Sequence, residues 1–163
     1  MNVKDIDWHT WDPGQRATIL FVIHAGNILL IHKKRGLGAG KINGPGGRLE
    51  PGETALQAAI RETQEEVGIT PVDVETCGEL FFQFIDGLSI HVSVFKTGRY
   101  TGDLIETDEA LPFWCALDAI PYTDMWQDDE YWLPLLLDNV PFKGYFVFDE
   151  STMLDHRLDT EGA

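Results

Sequence analysis

A chain of 163 residues with 44% apolar side chains is long enough to bury a real core, most simply as one domain over residues 1–163. Twenty-seven Asp and Glu against twelve Lys and Arg give a formal charge of −15. That balance argues against a nucleic-acid polymer or an anionic membrane as partner, but not against a small anion bridged to the protein by a cation.

The first fifteen residues predict a leader that turns at Asp12-Pro13-Gly14 and docks through Trp8 and Trp11. Residues 16–34 read as two strands joined at Ala25-Gly26-Asn27, because β-branched and apolar runs flank a turn sequence. Residues 35–47 form a glycine-rich loop. A helix follows, with Thr54 and Gln57 spaced as a capping box and Gly68 as its stop. Residues 77–85 and 88–97 flank Asp86-Gly87 and predict a β-hairpin. Residues 111–117 read as a short strand, 128–138 as a helix, and 144–150 with 152–158 as a closing pair of strands. This mixture implies an α/β or α+β sandwich. Cys77 and Cys115 form no CxxC, the five His lack zinc-like spacing, and no apolar run reaches membrane-spanning length. The expectation is a cytoplasmic protein with two free thiols.

The helix carries the chemistry. At about 3.6 residues per turn, Leu56, Ala59, Ile60, Thr63 and Val67 share a stripe expected to face the sheet. Glu62, Glu65 and Glu66 share the adjacent flank, where Ala55 and Ala58 are expected to leave a hollow. Acids four apart repel, and acids at a helix C-terminus meet the negative end of the dipole. A solvated acidic face is the usual fate of a charge run, yet it does not account for crowding at the unfavourable end. A hard divalent cation does, since it takes carboxylate oxygens, keeps water and bridges to phosphate. Mg²⁺ is the expected cofactor, with Mn²⁺ as its substitute.

Gly47, Glu53 and the run Arg61-Glu62-Thr63-Gln64-Glu65-Glu66-Val67-Gly68-Ile69 resemble the Nudix box over its 23 residues. Thr63 stands where the family pattern has a bulky aliphatic residue, which predicts a local packing compromise. The resemblance implies an α/β fold, a Nudix α/β/α sandwich with a mixed central β-sheet, and a metal-dependent pyrophosphohydrolase. It also implies Glu62, Glu65 and Glu66 as metal ligands, with the Gly46 carbonyl as another. Glu109, outside the box, is a candidate fourth carboxylate. Glu53 then supports the loop–helix geometry, and Arg61 orients the acids by ion pairs. The chemistry agrees on its own terms. Cations neutralise phosphoryl oxygens and activate water, and a Glu not fully engaged by metal can take the proton. Which Glu does so stays open.

Beyond the box, residues 33–47, 108–114 and 120–146 resemble the MutT-related branch of that family that acts on oxidised purine nucleoside triphosphates. The resemblance implies Thr18, Lys33, Asn43, Trp126, Asp128 and Asp129 at the nucleotide. The residue types suit a purine. Asn43 offers a donor and an acceptor, Trp126 a flat face, and Phe82 a cover for the other side. Asp128 and Asp129 accept from ring N–H or amino groups. Singly, a loop-shaping Asn, a core Trp and an N-capping Asp are the plainer accounts. Together, and in this order, they favour a base site. Leu37, Ile42 and Pro45 replace aromatics of that branch. The leading expectation is a monomer that converts oxidised purine nucleoside triphosphates, of the 8-oxo-dGTP and 2-hydroxy-dATP type, to monophosphate and pyrophosphate. Hydrolysis of dinucleoside polyphosphates, nucleotide sugars or ordinary nucleotides is the nearest alternative, and a non-catalytic nucleotide sensor is another.

Overall fold

Two residues with positive φ, Ala25 at 52° and Gly26 at 79°, reverse the chain between β1 (Gln15–His24) and β2 (Asn27–Lys33). Such a turn matches the twist of a hairpin. In this computed structural model, which describes residues 1–160, the pairing covers only Ile23 with Ile28 and His24 with Asn27. The strands then part. β1 runs parallel to β7 (Ser89–Thr97) and takes β4 (Gly46–Arg48) as an antiparallel neighbour. β2 pairs with β3 (Ile42–Asn43) and β9 (Ala110–Ala116). This splaying opens the sheet beside the glycine-rich loop, and β3 and β4 are strands that the loop's composition hid.

The expected hairpin forms between β6 (Glu75–Phe84) and β7, turning at Gly87 with φ 104°. β6 also runs parallel to β10 (Phe142–Asp149), and β11 (Thr152–Thr160) closes antiparallel on β10 as expected. β5 (Thr70–Val72) and β8 (Arg99–Thr101) make a separate ribbon. The helices are α1 (Ala55–Val67) and α2 (Asp129–Leu137). None of the described helices is long and apolar enough to cross a membrane.

Alternation along the strands builds a core on each sheet face. Phe21, Leu30, Leu80, Val92, Phe146 and Phe148 pack with Trp132, Leu133 and Leu136 of α2. Leu20, Val22, Leu29, Ile31 and Phe95 pack with Ala59 and Val67 of α1. Each large side chain buried this way contributes about 1.5–3 kcal/mol.

α1 starts and stops as its caps dictate. Gln57 donates its backbone N–H to Thr54 Oγ1 at 3.1 Å, Thr54 returns its own to Gln57 Oε1 at 2.9 Å, and Gly68 ends the helix at φ 82°. Its buried face is Ala58, Ala59, Thr63, Glu66 and Val67, which corrects the expected stripe. Leu56 is 42% exposed. Two small residues let α1 lie close on β1 and β4, and this rolls Leu56 to the rim. Ala58 is fully buried, so the expected alanine hollow is absent; the space beside the acids is bounded by the β4 glycines instead. Thr63 is also buried, and its hydroxyl donates to the Ala59 carbonyl at 2.8 Å. That bond removes the polarity of a hydroxyl where an aliphatic side chain was expected.

The leader docks through both tryptophans. Trp8 packs 5.1 Å from Tyr145 and Trp11 5.9 Å from Phe81, ring centre to ring centre. The Val3 N–H donates to Asp155 at 2.8 Å and fixes the start of the chain to β11.

Candidate active site

A groove of about 690 Å³ is bounded by α1, the glycine-rich loop, β6 and the start of α2. Its acidic end is made by two elements. Glu62 and Glu66 stand one turn apart on α1. Glu109 arrives on the turn before β9, which is tied to α1 by Thr107 Oγ1 donating to the Glu66 carbonyl at 2.8 Å. Carboxylate oxygens of Glu62, Glu66 and Glu109 lie within 4.8 Å of one another. Glycine at position 47 is what permits this approach, because a Cβ there would lie 2.6 Å from both Glu62 carboxylate oxygens. The Gly46 N–H points at Glu66 Oε2 from 3.3 Å.

Arg61 organises the acids. Its Nε and Nη2 donate to Glu53 at 2.7 and 2.9 Å, and its Nη1 donates to Glu62 at 2.9 Å and Glu65 at 3.1 Å. These bonds hold the Glu53 carboxyl down to about 2 and push the Arg61 guanidinium up. Glu53 lies outside the groove wall and acts on it through Arg61. Burial raises Glu62 against the pull of Arg61. Burial raises Glu66 further, to about 8, despite the Gly46 N–H. A carboxyl that resists ionising alone, beside two others, is a donor set that a hard divalent cation satisfies. Glu65 lines the groove but stays outside the trio, its side chain 54% exposed. Arg35, which the sequence reading passed over, donates to Glu109 at 3.1 Å.

The far end of the groove is set by α2. Asp128 and Asp129 are only 1% and 3% exposed. Neither caps the helix: Asp128 occupies the N-cap position without a side-chain capping bond. Trp132 Nε1 donates to Asp128 Oδ2 at 2.7 Å, while Asp128 Oδ1 and Asp129 Oδ2 are buried without a partner among the described residues. Burial pushes Asp128 up to about 6, and burial with the charge of Asp128 pushes Asp129 well above its ordinary value.

The remaining expected residues meet in the same groove. Trp126 lines it, braced edge-on by Phe84 at 6.3 Å and Phe148 at 5.6 Å. Phe82 stacks on Phe146 at 5.2 Å. Thr18 is buried with its hydroxyl unpartnered among the described residues. Asn43 Oδ1 accepts from the Gly44 N–H at 2.8 Å, which leaves its amide donors toward the groove. Lys33 lines the wall near Glu66, and its charge opposes the rise of that carboxyl. Of the three replaced aromatics only Leu37 faces the groove; Ile42 and Pro45 are buried outside its wall. Phe84, Leu88 and Ile90 also wall it, and strand alternation from Phe82 was the signal that pointed to Phe84.

A mixed sheet between two helices, with clustered carboxylates at one end of a groove and a buried Asp pair at the other, defines an α/β/α sandwich suited to hold a cation and a polar ring together. The NUDIX domain family matches residues 13–136. The chain is 42% identical over 144 residues to the oxidized purine nucleoside triphosphate hydrolase of Danio rerio, covering 87% of this chain and 92% of that one. It is 39% identical over 143 residues to the Mus musculus protein of the same name, covering 86% and 92%. The crystal structure of the mutator MutT protein from Bacillus halodurans matches with a TM-score of 0.80 at 28% identity, over 89% of this chain and 97% of that one. The chain belongs to the Nudix family.

Proposed function

We propose that the chain is a metal-dependent pyrophosphohydrolase that converts oxidised purine nucleoside triphosphates to monophosphate and pyrophosphate. The substrate type is 8-oxo-dGTP and 2-hydroxy-dATP, and the role is to cleanse the nucleotide pool. One observation carries the reading: the carboxylate trio and the two Asp with unpartnered oxygens line one groove. The names of the fish and mouse relatives, matched over most of both chains, support it.

Glu62, Glu65, Glu66 and Glu109, with the Gly46 carbonyl, are the residues to hold Mg²⁺ or Mn²⁺, and the mutual approach of Glu62, Glu66 and Glu109 supports this set. When bound, the ion neutralises phosphoryl oxygens and lowers the pKa of water. Arg61 holds Glu62 and Glu65 in place in advance, so little reorganisation accompanies reaction. Lys33 adds positive charge for phosphate. A Glu of this set that is not fully engaged by the metal takes the proton of the attacking water. Attack at phosphorus breaks one phosphoanhydride P–O bond, and pyrophosphate departs.

At the other end, Trp126 offers a face to the base and Asn43 an amide edge. Neighbouring buried carboxylates resist joint ionisation, so one keeps a proton and donates while the other accepts. By moving that proton the pair meets a guanine-like or an adenine-like edge. The two free thiols suit a reducing cytoplasm.

The test is a kinetic panel in Mg²⁺ of oxidised and normal purine triphosphates, diadenosine polyphosphates and nucleotide sugars. The expected result is preference for the oxidised purines with pyrophosphate as product. Better turnover of the polyphosphates or sugars contradicts the assignment.

A further inference from the structure

The leader lies on the sheet face opposite the groove. Leu80, Phe82 and Phe84 of β6 line the groove, whereas Phe81 contacts Trp8 and Trp11 from the other side. Gln83 shares that outer face, and Trp11 Nε1 donates to Gln83 Oε1 at 2.8 Å. This contact selects one orientation of the amide, because its oxygen is engaged and its NH₂ is turned inward. Gln83 Nε2 then donates to the Phe84 carbonyl at 2.9 Å and reaches the Leu88 carbonyl at 3.4 Å. The Leu88 carbonyl also accepts the Phe84 N–H at 2.8 Å. The amide therefore clasps both ends of the β6–β7 turn. Turned over, it would set its oxygen against two carbonyl oxygens. Phe84 and Leu88 wall the groove, and Phe84 braces Trp126.

We infer that Trp11 and Gln83 are positioning residues for the purine end of the groove. The indole N–H orients the Gln83 amide, and the amide fixes the turn that presents Phe84 and Leu88. The inference rests on the substrate reading above for what that wall contacts. Loosening the turn makes substrate binding reorder it, which weakens binding. The acids that carry the chemistry lie at the other end and are untouched. The relay thus acts on KM and leaves kcat in place.

Two variants break successive links. Trp11→Phe keeps a ring on Phe81 but removes the donor. Gln83→Glu keeps an acceptor for Trp11 but removes the donor to both carbonyls. The full-length chain, each variant and the double variant are compared by steady-state kinetics on 8-oxo-dGTP. Hydrogen exchange of residues 84–89 is followed without substrate. The expected KM rises by about three- to tenfold in each single variant while kcat stays within about twofold. Exchange accelerates locally in the turn, and the double variant is no worse than Gln83→Glu, because links in series are not additive. Unchanged KM and exchange, additive losses, or faster exchange spread evenly over the chain overturns the inference. If the parent chain does not turn over 8-oxo-dGTP, the substrate reading fails, and the exchange of the turn alone decides for or against the relay.

Discussion

Trp132 donates its indole N–H to Asp128 at 2.7 Å, with both side chains buried at the α2 end of the groove. The bond spans one turn of α2 and is what opposes burial at Asp128. Trp132→Phe removes the donor and leaves a buried carboxylate oxygen unpaired. The expected loss of stability is roughly 1–3 kcal/mol from the unpaired group, with a further cavity contribution. Urea denaturation measures it. A loss below about 0.5 kcal/mol would show that the Asp128 carboxyl finds another partner or stays neutral at no cost.

The Asp pair gives stability a pH dependence of definite sign. Both folded-state pKa values stand above the ordinary 3.8, Asp128 at about 6 and Asp129 well above 3.8, because burial, joined at Asp129 by the charge of Asp128, opposes ionisation. Between those limits the native state binds more protons than the unfolded chain. Stability from this source is complete below the unfolded pKa and is lost as pH rises through the folded values. Asp129→Asn removes one of the two ionisable groups that resist charging. Its melting temperature relative to the parent should rise more at pH 8 than at pH 5, as read by calorimetry. An equal difference at both pH values contradicts the burial of an ionising pair.

Gly47→Ala separates fold from site. The new Cβ would press on the Glu62 carboxylate, the far end of a flexible side chain, so the helix can stay in place while the acid moves. Activity is expected to fall by about 10²-fold or more with the circular dichroism spectrum retained, since small displacements at a reacting centre have effects of that size. At Gly46 the new Cβ would fall on the Thr18 backbone carbonyl, which cannot yield, so Gly46→Ala is expected to lower stability itself. Matching losses of stability in both variants would mean that Glu62 is held more rigidly than its contacts imply.

Much of this was legible in the sequence, and the exceptions share a cause. The caps of α1, the β6–β7 hairpin and the closing strands are local, and local residues encode them. The burial of Ala58 and the exposure of Leu56 were not legible, because small residues let a helix sit close, and that depends on the β1 and β4 backbones. The parallel pairings of β1 with β7 and β6 with β10 join segments distant in sequence and leave no local mark. At the site, Glu62 and Glu66 follow from helical spacing. Glu109 stood on resemblance alone, since only the fold brings its turn to α1. The link from Trp11 to Gln83 crosses 72 residues and had no signal beyond an aromatic leader.

We propose that one groove holds a chemical end and a base-reading end. The most direct measurement is kcat/KM for 8-oxo-dGTP and for dGTP in Mg²⁺, in the parent chain, Glu66→Gln and Asp129→Asn. The parent should favour the oxidised base. Glu66→Gln should lower both substrates together by orders of magnitude, because phosphate chemistry is common to them. Asp129→Asn should change the ratio between them by about tenfold, because its effect is at the base edge. A ratio near one in the parent, a ratio unmoved by Asp129→Asn, or near-parent turnover in folded Glu66→Gln would contradict the account.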